Sequence, residues 1–199
     1  MWEPTSHQYY ECVPLAAMNP PVATTSDGSP RGDKDKWIDK ERQRWASLLN
    51  VPMKQQSPPN FPPRTLTIMR ALAALQELDG GRQDRLVGVL DALWHEFFVK
   101  HTQTHELHEL RRILTGVLGG GAEADGVLKA ASSDAEGGGK KTLMQNTEVA
   151  FKGGAFGLPW MACTRVDGQS ESFWGVDHLG QVASFLGLEK LETGWKALL

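Results

Sequence analysis

Apolar residues recur at helical spacing through the middle of the chain. They fall every three or four positions, which is typical of helices that bury one face. The clearest stripe comprises Leu86, Val89, Leu90, Leu93, Trp94 and Phe97, and the next comprises Leu107, Leu110, Ile113, Leu114 and Val117. The middle of the chain is therefore predicted to be all-helical.

Flanking segments fit the same scheme. Apolar spacing predicts further helices over residues 36–50, 66–78 and 140–152. Residues 51–63 are rich in proline and cannot be helical throughout, since proline removes a helix hydrogen bond. Residues 19–35 are rich in Pro, Gly, Ser and Asp, which is typical of a loop.

The pattern changes near the carboxyl end. Trp160 to Val166 is apolar and strand-like, Asp167-Gly168 is a two-residue turn signal, and Ser170 to Trp174 forms a returning strand. Asp177 stands where the N-cap of a helix is expected. That helix is predicted from apolar residues at helical spacing, which are Leu179, Val182, Ala183 and Leu186.

A proline opens this predicted hairpin. Pro159 cannot donate a hydrogen bond to a sheet, so it belongs at the start or the edge of a strand. If the Leu158–Pro159 peptide bond is cis, the backbone of Leu158 turns outward with its N–H and C=O groups free. Taken together, the pattern predicts an α/β protein with a helical insertion.

Composition narrows the function classes. The net charge is −3 and basic residues form no cluster, so nucleic acid is not an expected partner. No apolar run approaches the length that spans a membrane, and the first residues show no targeting pattern. The two cysteines, Cys12 and Cys163, are far apart and form no Cys-x-x-Cys motif, which fits a reducing, intracellular protein.

Two segments carry a family resemblance. The run Gly154–Pro159 (GAFGLP) and the run Phe173–Asp177 (FWGVD) resemble kappa-class glutathione transferases and 2-hydroxychromene-2-carboxylate isomerases, in the DsbA-like group of thioredoxin-like proteins. The upstream segments Asn19–Pro21, Lys34–Ile38 and Asn60–Leu66 fall in the family's order.

The resemblance implies a thioredoxin-like fold that is incomplete at its amino end. Residues 1–35 would be a remnant of the first thioredoxin-like half, 36–131 a large all-helical insertion, and 140–199 the second half. The family's thiol-activating serine stands in a Ser-Pro-Tyr-Ser-like turn after the first strand. Ser6 is too near Met1 for a strand and a turn to precede it. We therefore assign no catalytic residue, and expect the chain to be a truncated form or a shortened relative.

Glutathione is the cosubstrate or cofactor that the resemblance implies. The backbone beside Leu158 and Pro159 would pair with its cysteinyl part. Asp177 would hold the γ-glutamyl ammonium, although an N-cap role alone also explains this residue. Val176 and His178 stand where the family usually has serine and arginine, so two side-chain contacts differ.

Two further residues belong to the loop that covers glutathione in the family. Asn19 and Lys34 occupy matching positions, and Lys34 would pair with a glutathione carboxylate as a point charge. The alternative is that Lys34 is an ordinary solvated lysine, and the intervening loop is longer than is usual in the family.

The spacing of three histidines is compatible with a metal site, but the rest of the sequence does not complete one. His101, His105 and His108 are spaced as on one helical face, which can bind zinc. They lack a cysteine partner and the His-Glu-x-x-His pattern, so a polar surface is the preferred interpretation and we expect no metal.

Three functions stay open. The first is glutathione-dependent conjugation of small electrophiles or reduction of peroxides, and the second is glutathione-dependent isomerisation of an aromatic substrate. The third is a non-catalytic thioredoxin-fold binding protein. The resemblance implies a homodimer, in the cytoplasm or, as elsewhere in the family, in mitochondria or peroxisomes.

Overall fold

A computed structural model describes residues 32–188, and their side chains from Trp37 onward. Seven α-helices lie in this part of the chain: α1 Gly32–Leu48, α2 Leu66–Leu78, α3 Asp84–Trp94, α4 Leu107–Leu118, α5 Gly121–Ala131, α6 Gly139–Lys152 and α7 Leu179–Leu186. Two strands, β1 Trp160–Thr164 and β2 Ser170–Trp174, form the one sheet of the described part. The chain divides into two compact units, with the boundary between Leu143 and Met144 inside α6.

The first unit is a helical bundle. Helices α2 to α5 pack around a common apolar core, in which Leu75, Val89 and Leu114 are completely inaccessible to solvent. Both predicted stripes supply this core, through residues such as Leu93, Leu110 and Ile113. Among the described residues, no helix is long and apolar enough to cross a membrane.

Two details of the helical pattern differ from the sequence prediction. Trp94 and Leu107 belong to the predicted stripes, yet they are 65% and 60% exposed. Trp94 directly follows the buried Leu93, and neighbouring residues on a helix point about 100° apart, so both cannot face the same core. After Trp94 the helix widens into a π-helical segment, His95–Lys100, which the apolar pattern did not predict.

The loop predicted over 19–35 is too long at its carboxyl end. Helix α1 already begins at Gly32, so the backbone of Lys34 is helical and not part of a loop. The predicted start of this helix at residue 36 is therefore wrong by four residues. The charged run Asp33–Lys36 carries no apolar stripe, which explains why periodicity alone missed it.

Gly139 lets the start of α6 approach two other helices. A Cβ atom at this position would overlap the carbonyl oxygen of Arg70 in α2 and lie 2.9 Å from the Cα atom of Ala131 in α5. Only glycine fits such a backbone contact. The run Gly137–Gly139, whose last residue begins α6, is thus a packing element as well as a loop.

The second unit contains the β-hairpin. Strands β1 and β2 are antiparallel, and Trp160 lies opposite Trp174. The chain reverses where Asp167-Gly168 predicted, but the two-residue turn is wrong. The loop has three residues, Val166 to Gly168, and it is closed by hydrogen bonds from the Gly168 N–H to the Arg165 carbonyl at 3.0 Å and from the Arg165 N–H to the Gln169 carbonyl at 2.8 Å. Only Gly168, with a φ of +84°, has a positive φ, which is typical of a type I turn followed by a glycine. Helix α7 packs on the hairpin through Phe185, whose ring centroid lies 5.8 Å from that of Phe173.

Candidate functional site

The Leu158–Pro159 peptide bond is cis, the form for which the sequence predicts that the backbone of Leu158 faces outward. Leu158 is 49% exposed. Among residues 32–188, neither its N–H nor its C=O has a hydrogen-bond partner. The next carbonyl, that of Pro159, accepts the Gly175 N–H at 3.1 Å and extends the β-ladder by one step. Leu158 therefore presents a free backbone donor and acceptor immediately beyond a paired strand.

The same hydrogen bond brings a short polar turn to Pro159. Residues Val176–His178 form a single 3-10 turn after Gly175. Gly175 has a φ of +96°, and a Cβ atom there would overlap the carboxylate of Asp177. Glycine is thus required by the backbone conformation, whereas the exposed carboxylate of Asp177 is a flexible group that a side chain at this position would displace.

Asp177 is not the N-cap of α7. It is the middle residue of the 3-10 turn, and His178 occupies the cap position without a side-chain hydrogen bond. The N-cap expectation is wrong because the chain makes an extra turn before α7 begins at Leu179. The Asp177 carboxylate stays 66% exposed and lies 3.4 Å from Nδ1 of His178, so it is accessible to a cationic ligand group.

His178 is only partly accessible. Its side chain is 37% exposed, but Nδ1 itself is shielded from solvent and makes no hydrogen bond within the described part of the chain. The ring lines an open groove of about 650 Å³ between β2 and α7. The other groove residues are Glu171, Ser172, Phe173, Trp174, Gln181, Ser184 and Phe185. Val176, the remaining residue of the turn, is 40% exposed.

Three aromatic rings form a cluster beside the segment Gly157–Pro159. Phe156 lies two residues before Leu158, and its ring centroid is 5.6 Å from that of Trp160 and 5.0 Å from that of Trp174. The indole nitrogen of Trp174 lies against Gly157, where a Cβ atom would approach it to 2.7 Å. The sequence pattern did not predict that these rings belong to the site. The predicted two-residue turn would have paired Trp160 with Gly175, so the observed pairing of Trp160 with Trp174 depends on the longer turn. Nothing in the sequence brings Phe156 back to both rings.

The sequence-predicted site residues thus fall into two groups. Leu158, Pro159, Val176, Asp177 and His178 lie in the second unit, where the Pro159–Gly175 hydrogen bond links their two segments. Of the other two, Asn19 lies outside the described residues, and Lys34 has a described backbone in α1 but no described side chain.

The strongest electrostatic network lies in the helical unit. The Glu96 carboxylate accepts hydrogen bonds from Lys100 at 2.7 Å, Thr102 at 2.8 Å and Arg112 at 2.9 Å. The Lys100 hydrogen bond above all, with those of Thr102 and Arg112, lowers the pKa of Glu96 to about 2, although burial opposes this shift. These donors tie the π-helical segment to α4, which is a structural role.

A second buried carboxylate also has its partner. Asp79 is 7% exposed, and Arg85 binds both of its oxygens while also reaching Glu123 at 3.2 Å. The hydrogen bond from Arg85 lowers the pKa of Asp79. Elsewhere in the helical unit, the Nε2 atoms of His105 and His108 lie 3.5 and 3.6 Å from the carboxylates of Glu106 and Glu109, respectively. Within the described ranges, no three potential ligand side chains are grouped as a metal site requires.

A family model described as "DSBA-like thioredoxin domain" matches residues 11–187, which is most of the chain. No curated protein matches the sequence.

Proposed function

The chain belongs to the DSBA-like thioredoxin domain family, and we propose that it binds glutathione and uses its thiol on a small electrophile or a peroxide. The observation that carries this proposal is the free backbone of Leu158. An extended peptide is recognised by main-chain hydrogen bonds to an unpaired strand, and Leu158 offers one donor and one acceptor at the end of β1. The cysteinyl residue of glutathione is a peptide unit that fits this pairing.

The second support for the proposal is the polar turn. The γ-glutamyl group of glutathione carries an ammonium and a carboxylate on one carbon. The exposed Asp177 carboxylate suits the ammonium, and the backbone N–H groups of Val176 and Asp177 have no backbone partner within residues 32–188. The two proposed contacts, at Leu158 and at Asp177, lie at the same end of the hairpin, because the Gly175 N–H donates a hydrogen bond to the Pro159 carbonyl.

The family's usual serine and arginine are replaced here by Val176 and His178. The proposed site therefore depends more on backbone groups and on one carboxylate than it does in the family. We expect weak binding, since few charged side chains contribute. Isomerisation of an aromatic substrate would use the same glutathione site, and no observation favours it over conjugation.

A ligand pair tests the mode of binding. Calorimetry should detect glutathione, and the isomer with an α-linked glutamyl residue should bind more weakly, because its ammonium and carboxylate are no longer on one carbon. Ophthalmic acid, in which a methyl group replaces the thiol, should bind like glutathione, since the proposed contacts involve the backbone of the cysteinyl residue.

A variant pair tests the backbone of Leu158. Leu158→Pro removes the N–H donor, whereas Leu158→Ala keeps it and removes only an exposed side chain. We expect Leu158→Ala to bind glutathione like the wild type and Leu158→Pro to lose binding, with circular dichroism showing that both are folded. A folded wild-type protein that gives no heat at millimolar glutathione would refute the proposed function.

A further inference from the structure

Strand β2 has an outer edge that faces away from β1. The Gly175 N–H donates to the Pro159 carbonyl at one end of the hairpin, and the Arg165 N–H donates to the Gln169 carbonyl at the other. Antiparallel strands alternate between hydrogen-bonded and non-hydrogen-bonded pairs, so the N–H and C=O groups of every second residue of β2 point away from β1. These residues are Ser170, Ser172 and Trp174.

This outer edge has no backbone partner in the part of the chain that the structure describes. The N–H of Ser172 has only the neighbouring Glu171 side chain as an acceptor, at a distance of 3.4 Å. Lysine, proline and bulges are common devices that keep an edge strand from pairing, and β2 contains none of them. The edge of β2 is therefore able to pair with another extended chain.

A groove runs beside this edge, on the face of the hairpin that carries α7. The side chains of Glu171 and Phe173 lie on the same face of β2, since alternate residues of a strand share a face. Phe173 contacts Phe185 of α7, which identifies this face as the one that α7 covers. The groove of about 650 Å³ between β2 and α7 is lined on its helix side by Gln181 and Ser184. A strand added to the edge would place every second side chain in this groove.

Glu171 gives the groove a negative charge next to an apolar surface. Its side chain is exposed, and it belongs to none of the ion pairs among residues 32–188. Phe173 is partly exposed. An antiparallel strand would place one side chain opposite Phe173 and, two residues later, another opposite Glu171. The complementary sequence is thus an apolar residue followed two positions later by lysine or arginine.

We propose that the edge of β2 and the groove beside it bind an extended segment of a partner protein, which adds an antiparallel strand to the hairpin. Backbone hydrogen bonds to Ser170, Ser172 and Trp174 hold the segment, and the groove selects its alternate side chains. Glu171 pairs with the basic residue of the segment. The segment pairs with β2 and not with the backbone of Leu158, so this inference does not rest on the proposed function.

A synthetic peptide tests the strand pairing. The probe is acetyl-Ser-Val-Thr-Arg-Thr-Val-Ser-amide, which places valine opposite Phe173 and arginine opposite Glu171. N-methylation of the first threonine removes an N–H that would face Ser172, whereas N-methylation of the arginine removes an N–H that would face solvent. By calorimetry, we expect the first change to weaken binding at least about tenfold and the second to leave it nearly unchanged.

A pair of protein variants tests the edge itself. Ser172→Pro removes the outward N–H, which makes no bond to β1, whereas Ser172→Thr keeps it. We expect Ser172→Thr to bind the probe like the wild type and Ser172→Pro to lose it, with circular dichroism showing that each is folded. If Ser172→Pro does not fold, the two methylated peptides still decide the question.

A charge exchange tests the groove. Glu171→Lys should weaken the arginine probe about three- to tenfold and should bind more tightly than the wild type to the same peptide with glutamate in place of arginine. Glu148→Lys is the matched control, since Glu148 is an exposed glutamate in α6 of the same unit. It should keep the wild-type preference for arginine.

The outcomes either support or overturn the proposed strand addition. A folded protein that does not bind the probe at millimolar concentration would overturn it, as would equal affinities of the two methylated peptides. Self-association that competes with the probe and disappears in Ser172→Pro would assign the edge to a second copy of the chain, and would overturn the partner segment. Loss with the methylated threonine, together with a preference that reverses in Glu171→Lys and persists in Glu148→Lys, would support it.

Discussion

The backbone N–H of Gly175 donates to the carbonyl oxygen of Pro159 at 3.1 Å, one step beyond the Trp160–Trp174 pair. This bond joins the free backbone of Leu158 to the turn that carries Asp177. It uses the Pro159 carbonyl and leaves both polar backbone groups of Leu158 unpaired within the described residues. A backbone hydrogen bond, and not a side chain, therefore holds Leu158 and the turn with Asp177 near each other in the proposed glutathione site.

The carboxylate of Asp177 should contribute to glutathione binding. Asp177→Asn keeps the shape but removes the charge that faces the γ-glutamyl ammonium. Because this carboxylate is 66% exposed and solvent weakens the attraction, we expect a loss of about three- to tenfold in affinity by calorimetry.

Asp167→Asn is the matched control for this change. Asp167 is an exposed carboxylate at the turn of the same hairpin, where it pairs with Arg165 at 3.2 Å. Its replacement should leave glutathione affinity unchanged. Equal losses for the Asp167 and Asp177 variants would contradict a specific role for Asp177.

Gly175 should be intolerant of a side chain. Its φ of +96° and ψ of 145° fall in a region that is nearly restricted to glycine, and a Cβ atom would displace the Asp177 carboxylate. We expect Gly175→Ala to lower the free energy of unfolding by about 1–3 kcal/mol. The same variant should also weaken glutathione binding, because Asp177 must move.

Gly180→Ala provides the comparison for Gly175→Ala. Gly180 lies within α7, and a Cβ atom there would meet no atom within 4 Å. Alanine favours a helix over glycine by about 0.5–1 kcal/mol, so this variant should be neutral or stabilising in thermal unfolding. If both glycine variants unfold at the same temperature as the wild type, the inference that only glycine fits the backbone conformation at position 175 is wrong.

Much of the hairpin could be predicted because its signals are local. Gly168 marks where the chain reverses and Pro159 marks where the first strand can begin, although a third turn residue shifts the strand pairing by one from the two-residue prediction. The extra turn at Val176–His178 was missed because a carboxylate before an apolar helix resembles an ordinary cap. The contact of Phe156 with Trp174 depends on the path of the chain around Leu158, which periodicity does not report.

In the helical unit, too, the sequence predicts the features that depend on local periodicity and misses those that depend on tertiary contacts. Its core follows the apolar stripes, since burial of Leu93 and Leu110 is a property of periodic sequence. The cis bond at Phe61–Pro62 and the π-helical segment His95–Lys100 were not predicted. Both belong to segments whose conformation is set by tertiary contacts, such as the hydrogen bond from the Lys54 N–H to the Phe98 carbonyl at 3.1 Å.

The close approach at Gly139 gives a prediction on stability. Gly139→Ala forces α6 away from the Arg70 carbonyl and from Ala131, so it should destabilise the helical unit by about 1–3 kcal/mol. Gly126→Ala is the control, because Gly126 lies inside α5 with no atom within 4 Å of its Cβ position. That variant should be neutral or stabilising, and urea unfolding of both measures the difference. A stable Gly139→Ala protein would contradict the helix crossing.

Glu96 gives a prediction on pH dependence. Its pKa is lowered from the ordinary value of 4.5 to about 2, so the folded state binds its proton less tightly than the unfolded state does. The stabilisation is therefore present above about pH 4.5 and is lost as the pH falls toward about 2. Glu96→Gln removes the negative charge that pairs with Lys100 and Arg112. It should lower the free energy of unfolding by about 1–3 kcal/mol at pH 7.

The difference between wild type and Glu96→Gln should then shrink as urea unfolding is repeated from pH 7 down to pH 3. Glu123→Gln is the control, since Glu123 is 58% exposed and its pairing with Arg85 lies at the surface. Exposed pairs contribute at most about 1 kcal/mol, so this variant should differ little from the wild type at any pH. A Glu96→Gln protein whose deficit stays constant from pH 7 to pH 3 would show that the lost stability comes from packing and not from the charge of the buried carboxylate.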